Sequence, residues 1–440
     1  MTAHARRIPQ QRGTCPGLSA PMPTGDGLLT RFTPIGTIPL TAFTRFCAAA
    51  RTHGNGIVEV TARGSIQIRG LSAVSAPKFA AQIATLEIAA EDGVPILCNP
   101  LSGIEADEIL DVTPLARELR RTLGKRSAAA QLNAKVSVAI DGGRKLDLAR
   151  IPADIRLTAQ SMNNETLLRV AVGGDDASAI DLGIVAPEGG VEAACRLLGL
   201  LAERGRHVRA RDIIVAEGTT VFHKALSTHP ALCRASAPAD GDKRTHGGDK
   251  LSRDEQAIAV HRSRDGSLAC GVGLPFGHAD ADALERLADV AGTAGSYGLR
   301  AAPGRTLLTI GLTKQSAAGF VAAAKQLGFV TRADDPRRHV LACAGAPLCT
   351  SAYIATRAMA PGIAAAAAPH LTSDATIHIS GCAKGCAHPA AATLTVVGTG
   401  GDCALVANGS ARDTPFAAAP VNELLAAIER YLREREATRV

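Results

Sequence analysis

Four cysteines in the last quarter of the chain, Cys343, Cys349, Cys382 and Cys386, form a C-x5-C pair followed about thirty residues later by a C-x3-C pair. Thiolate pairs on two separate loops can converge on one centre, and four thiolates are the ligand set of a cubane iron–sulfur cluster. Structural zinc is the competing chemistry, but four-cysteine zinc sites ordinarily use close C-x2-C knuckles, a spacing that neither pair has. Plain burial is the third reading, since free cysteine is among the most buried residue types. The spacing favours a cluster and leaves zinc and core packing as alternatives.

An internal repeat supplies the elements that must position these residues. A shift of 241 residues aligns, without a gap, Pro34-Ile35-Gly36 with Pro275-Phe276-Gly277, Phe43 with Leu284 and Phe46 with Leu287. The same shift aligns Gly54 with Gly295 and Gly70-Leu71 with Gly311-Leu312. Each copy reads as a short strand (Gly27 to Phe32; Ser267 to Gly273), a Pro/Gly turn and a helix with apolar residues at helical spacing (Leu40 to His53; Ala281 to Ala294). A hairpin closes each copy: Ile57 to Thr61 with Ser65 to Gly70, and Leu299 to Ala302 with Thr306 to Leu312. One β-α-β-β unit leaves a sheet face it cannot cover, so the two copies are expected to pair into one pseudo-symmetric domain.

Between the copies, helices are expected at Pro77 to Ala90, Thr113 to Leu123 and Gly190 to Glu203, with strands at Lys135 to Ile140 and Thr166 to Val172. The stretch 234–255 is polar and Gly-rich and reads as a linker. A final helix, Pro420 to Arg433, is acidic at its start and basic at its end, as the helix dipole favours. The expected organisation is α+β: half-units at 12–73 and 256–330, a central α/β domain at 74–233 and a cysteine-bearing α/β domain at 336–440.

Composition excludes several function classes. The net charge is +7 over 440 residues and the basic residues are scattered, so nucleic-acid binding has little support. A pocket for an acidic small molecule accounts for the same surplus. No run of about eighteen apolar residues occurs, so no membrane span is expected. Met1 to Arg12 is polar and basic, unlike a signal peptide, and eleven cysteines, an odd number, fit a reducing cytoplasm. The seven cysteines outside the quartet are widely spaced and read mostly as packing residues.

Repeat and quartet together resemble the sulfite/nitrite reductase family, which binds a 4Fe-4S cluster beside a tetrapyrrole, over roughly Arg12 to Ala427. Within it the motifs are most similar to the precorrin-3B synthase branch of aerobic cobalamin biosynthesis. They are Arg12-Gly13-Thr14-Cys15-Pro16-Gly17-Leu18, Thr24-Gly25-Asp26-Gly27-Leu28, and Asn133-Ala134-Lys135 running into Asp141-Gly142-Gly143. The most specific is Ser380-Gly381-Cys382-Ala383-Lys384-Gly385-Cys386-Ala387-His388-Pro389. Sulfite and nitrite reductases usually carry Pro-Asn in place of Ala383-Lys384, and often Arg-Asn where a central loop here reads Val94-Pro95.

The resemblance implies two ferredoxin-like half-units and an oxidoreductase: a monooxygenase that hydroxylates precorrin-3A at C20 with dioxygen and forms a γ-lactone. It implies a 4Fe-4S cluster on the four cysteines and an additional mononuclear non-haem iron, whose ligands the sequence does not identify. Sirohaem belongs only to the alternative, an assimilatory sulfite or nitrite reductase. A bare electron carrier would need little more than the cysteine domain. No G-x-G-x-x-G heads a βαβ unit, since Gly271-Val272-Gly273 has the wrong continuation. Electrons, ultimately from NADH, are therefore expected through a separate reductase or ferredoxin-type partner.

The family pattern also assigns individual residues. Arg63, in Thr61-Ala62-Arg63-Gly64-Ser65-Ile66-Gln67, matches an arginine that contacts tetrapyrrole carboxylates, a task suited to a bidentate guanidinium. A solvated hairpin arginine is the bland reading. Lys135 matches a lysine of the strand motif, and Arg69 either joins these two or caps its strand. Lys384 and His388 set this chain apart from the reductases. Lys384 could raise a cluster potential or hold a substrate carboxylate. His388 could ligate iron, accept a proton or simply bond its own loop.

Overall fold

The structure is a computed structural model that describes residues 16–90, 93–125, 131–143, 146–227, 257–372 and 375–437. The expected linker at 234–255 and the start of the N-terminal motif, Arg12 to Cys15, lie outside the described residues. The chain packs as two compact units, one built on Glu91–Gly103 and Glu108–Gly241, the other on Pro23–Ala90, Ile104–Asp107 and Asp242–Val440.

The larger unit contains the sequence repeat. Its first copy runs β1 (Met22–Thr24), β2 (Gly27–Phe32), β3 (Ile38–Pro39), α1 (Leu40–His53), β4 (Ile57–Val60), β5 (Ile66–Leu71) and α2 (Ser75–Ala84). On α1, Phe43, Phe46, Cys47 and Ala50 recur at helical spacing and are all buried, which is why this segment is a helix and which face it covers. Phe46 touches Phe32 and Phe79 edge-on, at ring separations of 5.8 and 6.5 Å. That contact places α2 with the first half-unit, so the structure draws the boundary at Ala90 and not at 73. The helix expected at Pro77 to Ala90 also stops at Ala84, because residues 89–90 turn extended and pair with Pro34 and Ile35.

In the central unit the observed elements are β6 (Ile96–Cys98), α3 (Thr113–Gly124), β7 (Val138–Asp141), β8 (Ala153–Met162), β9 (Glu165–Gly174), β10 (Ile180–Val185), α4 (Gly190–Arg204), α5 (Ala210–Glu217) and α6 (Thr220–Ser227). The sheet order is β10-β9-β8-β7-β6, with β6, β7 and β8 parallel and the remaining pairs antiparallel. The strand expected from Lys135 begins at Val138, since Lys135 N–H is drawn into a turn by the Asn133 side chain at 2.9 Å. Strand β8 escapes sequence reading because Arg156 interrupts its apolar run. The buried guanidinium donates to Ile151 O at 2.6 Å and Leu148 O at 2.9 Å.

The second copy follows as β11 (Val260–Arg262), β12 (Leu268–Gly273), β13 (His278–Asp280), α7 (Ala281–Thr293), β14 (Gly298–Ala302), β15 (Thr306–Leu312) and α8 (Lys314–Gln326). The two copies exchange strands. β13 completes the first sheet, β1-β2-β5-β4-β13, and β3 completes the second, β11-β12-β15-β14-β3. Reciprocal exchange satisfies sheet edges that each half would otherwise leave open. Arg51 of α1 also reaches Asp282 and Glu285 of α7, at 2.7 and 2.6 Å.

The last module contains β16 (Val340–Ala342), α9 (Thr356–Ala367), β17 (Ile377–Ser380), β18 (Ala392–Gly398), β19 (Cys403–Gly409), β20 (Ala417–Ala419) and α10 (Leu424–Ala437). The helix expected from Pro420 begins at Leu424, after a single 3-10 turn at Val421–Glu423. Strands β16, β17 and β18 are parallel, and β19 and β20 return antiparallel. This is the topology of the central sheet, so the duplication extends beyond the half-units that sequence register reveals.

Candidate metal centre

Cys343 follows β16 and Cys382 follows β17, so the two cysteine loops leave the carboxyl ends of adjacent parallel strands, where open α/β sheets bind ligands. Cys343 N–H is fixed by Ile379 O at 3.2 Å, and Gly381 N–H donates to Cys343 Sγ at 3.2 Å. The Thr356 hydroxyl at the start of α9 donates to Cys343 O at 2.7 Å and lies 3.8 Å from its sulfur. Between the first two cysteines the chain turns through Gly345 at φ 65°. A side chain there would collide with Thr356 Oγ1 and lie 2.6 Å from its backbone nitrogen, so only glycine fits. Cys349 N–H bonds Gly345 O at 2.8 Å and closes the loop.

Burial raises the Cys386 pKa, and the charges of Cys343, Cys382 and Cys349 raise it further, against a lowering by Arg69. Cys386 is the most exposed of the four. Among the described residues, no three His, Cys, Asp or Glu side chains come close enough to grip a single metal ion. Tetrahedral zinc holds its sulfurs about 2.3 Å from one ion, which demands closer convergence than these residues show. A cubane spreads four thiolates over four irons and needs a wider cradle. Four thiols on two loops, with a backbone N–H already on one sulfur, are the donor chemistry of a 4Fe-4S cluster. The same finding gives a mononuclear iron no ligand set among the described residues.

The other candidates are placed as follows. Lys384 is exposed, with Nζ on Ser351 Oγ at 3.1 Å. His388 is half-buried, its Nε2 donates to Ala391 O at 3.3 Å, and its ring meets His378 edge-on at 5.9 Å. Burial lowers its pKa. Arg63 is exposed at the tip between β4 and β5. Lys135 is exposed in a turn of the central unit. Arg69 is buried instead and makes a bidentate pair with Asp26: Nε to Oδ2 at 2.7 Å and Nη2 to Oδ1 at 2.8 Å.

Several participants are given no role at the site by the sequence. The Gly25 backbone lies on the first cysteine loop, where a Cβ would overlap Cys349 Sγ, and Thr350 N–H donates to Gly25 O at 2.9 Å. His378 is fully buried in β17 beside the second loop, with both ring nitrogens unbonded, and burial followed by His388 and Arg305 pushes its pKa down to about 4. Arg305, at the tip of the second hairpin, is one residue out of register with Arg63, so the second copy carries an arginine as well. Glu59 is held by Gln67 and by Arg357 of α9, the latter at 2.7 Å.

The central unit shows what the site becomes without cysteines. Asn99 follows β6 as Cys343 follows β16, and Gly142 N–H donates to Asn99 Oδ1 at 2.6 Å as Gly381 N–H donates to the cysteine sulfur. Asn99 Nδ2 then donates to Asp141 and to Leu146 O, at 3.0 and 3.1 Å. The buried network is satisfied by protein alone.

Residues 20–86 match the nitrite/sulfite reductase ferredoxin-like half domain, and residues 92–193 the nitrite and sulphite reductase 4Fe-4S domain. The second match falls largely on the central unit, and Cys98 is the single cysteine between residues 92 and 193. The quartet lies in the last module, which repeats the same sheet topology. A precorrin-3B synthase from Sinorhizobium sp is 36% identical over 424 residues, covering 96% of this chain and 88% of the relative. The chain belongs to the precorrin-3B synthase family. A sulfite reductase (ferredoxin) from Mycobacterium tuberculosis is more distant, 26% identical over 66% of this chain and 54% of its own length. The solved structure of the Mycobacterium tuberculosis NirA protein superposes with a TM-score of 0.70 at 21% identity, over 92% of this chain and 80% of that one. It shares the fold of the family, two ferredoxin-like half domains with mixed helix and sheet. Among the described residues no helix is long and apolar enough to cross a membrane.

Proposed function

We propose that this chain is a precorrin-3B synthase, a monooxygenase that hydroxylates precorrin-3A at C20 with dioxygen and closes a γ-lactone. The observation that carries the reading is the relationship to a precorrin-3B synthase across 96% of the chain, both half-units and cysteine loops included. Cys343, Cys349, Cys382 and Cys386 hold a 4Fe-4S cluster, which supplies single electrons when bound. The Gly381 N–H on Cys343 stabilises negative charge on the thiolate.

Arg63 presents a guanidinium at an exposed hairpin tip, where it pairs with a substrate carboxylate. Arg69 supports the hairpin from within. Lys384, anchored to Ser351 but exposed, adds a positive charge inside the second cysteine loop. Because His388 Nε2–H is given to Ala391 O, its Nδ1 is the atom that can take a proton. Electrons reach the cluster in the cytoplasm from an external reductase or ferredoxin-type donor.

The absorbance spectrum of the purified protein separates this reading from the reductase alternative. A broad iron–sulfur shoulder without sirohaem bands is the expected result. Sirohaem bands together with reduction of sulfite or nitrite would overturn it.

A further inference from the structure

We propose that the two charges of the buried Asp26–Arg69 ion pair act on the reduction potential of the cluster in opposite directions, so that keeping them paired holds it in balance. The inference rests on the assignment of the four cysteines as cluster ligands. The pair bears on the site from two directions. Asp26 is adjacent to Gly25, whose backbone is stapled to the first cysteine loop by Thr350 and lies against Cys349 Sγ. At the other end, the Arg69 guanidinium lies within electrostatic reach of Cys386 in the second loop. Asp26 is 2% exposed and Arg69 9%, so neither charge is screened by bulk water. The bidentate geometry fixes both charges in place, and the neighbouring Glu59 carboxylate is held by its own partner, Arg357, at 2.7 Å.

The physical consequence has a definite sign. Reduction adds an electron to the cluster, so a fixed positive charge nearby stabilises the reduced form and raises the potential, while a fixed negative charge lowers it. In the wild type the two charges largely offset each other. Neutralising one member exposes the other, and the two single variants must shift the potential in opposite directions. A merely structural pair has no reason to do so: losing either partner would loosen the same loop and perturb the cluster in one common direction.

The test is a redox titration of the cluster EPR signal in the purified holoprotein, without substrate, alongside iron and sulfide analysis. Asp26→Asn is expected to raise the midpoint and Arg69→Gln to lower it. Arg69→Lys, which keeps the charge, is expected to stay near the wild type, and the double variant Asp26→Asn/Arg69→Gln to return towards it. Shifts of the same sign, or none, with iron and sulfide at wild-type levels would overturn the proposal while leaving the cluster assignment intact. Loss of the cluster from both single variants but not from the double variant would also overturn it, by marking the pair as structural. Absence of iron and sulfide from the wild-type protein would instead remove the cluster reading itself.

Discussion

A 4Fe-4S cluster takes one thiolate on each of its four irons, so each cysteine of the quartet should be individually necessary. Cys→Ser at 343, 349, 382 or 386 is expected to strip or degrade the cluster, read as loss of iron and acid-labile sulfide; full retention in all four variants would contradict the assignment. Arg63→Ala is expected to weaken substrate binding by about 1.5–3 kcal/mol, roughly ten- to a hundredfold in KM, with iron content unchanged. An unchanged KM would return Arg63 to the class of solvated hairpin arginines. The cysteines are legible in the sequence because their ligand spacing is local. The pairing of Asp26 with Arg69 is not, because the partners lie 43 residues apart and both residue types are ordinarily exposed. The contact of Gly25 with the first cysteine loop spans 325 residues and exists only in the tertiary fold.

The exchanged strands give the elements a pH-dependent weakness. His278 lies on β13, the strand that closes the first sheet, with Nδ1 buried and unbonded. Burial, and then the charge of Arg357, pushes its pKa from 6.5 down to about 4. Between those values the unfolded chain binds a proton that the folded chain refuses. The stability contribution is therefore complete above pH 6.5 and is lost as pH falls through about 4, on the order of 3 kcal/mol in all. Thermal unfolding followed from pH 7.5 to about 4 should show this decline, and His278→Phe should flatten it. An identical slope in the variant would contradict the account. The ungapped register that aligns Phe46 with Leu287 made the repeat visible, because both fill the buried face of a helix. The strand exchange was not visible, since β3 and β13 are two and three residues long and carry no periodicity to read.

For the whole molecule, duplication is the organising fact, and it reaches further than sequence register shows. The central sheet and the cysteine-bearing sheet share strand order and polarity, yet one closes its loop with Asn99 and Asp141 and the other with four thiols. Side-chain identity at that loop, not the backbone, separates a satisfied polar network from a set of four thiols. For that reason the fold alone does not distinguish a tetrapyrrole oxygenase from a reductase of the same architecture. The decisive measurement is mass spectrometry of precorrin-3A incubated with the holoprotein, a reducing system and isotopically heavy dioxygen. The account predicts a product that has gained one oxygen atom bearing the heavy label, and that forms only when reductant is present. Substrate recovered unchanged under several electron donors, or a product whose added oxygen comes from water, would contradict it.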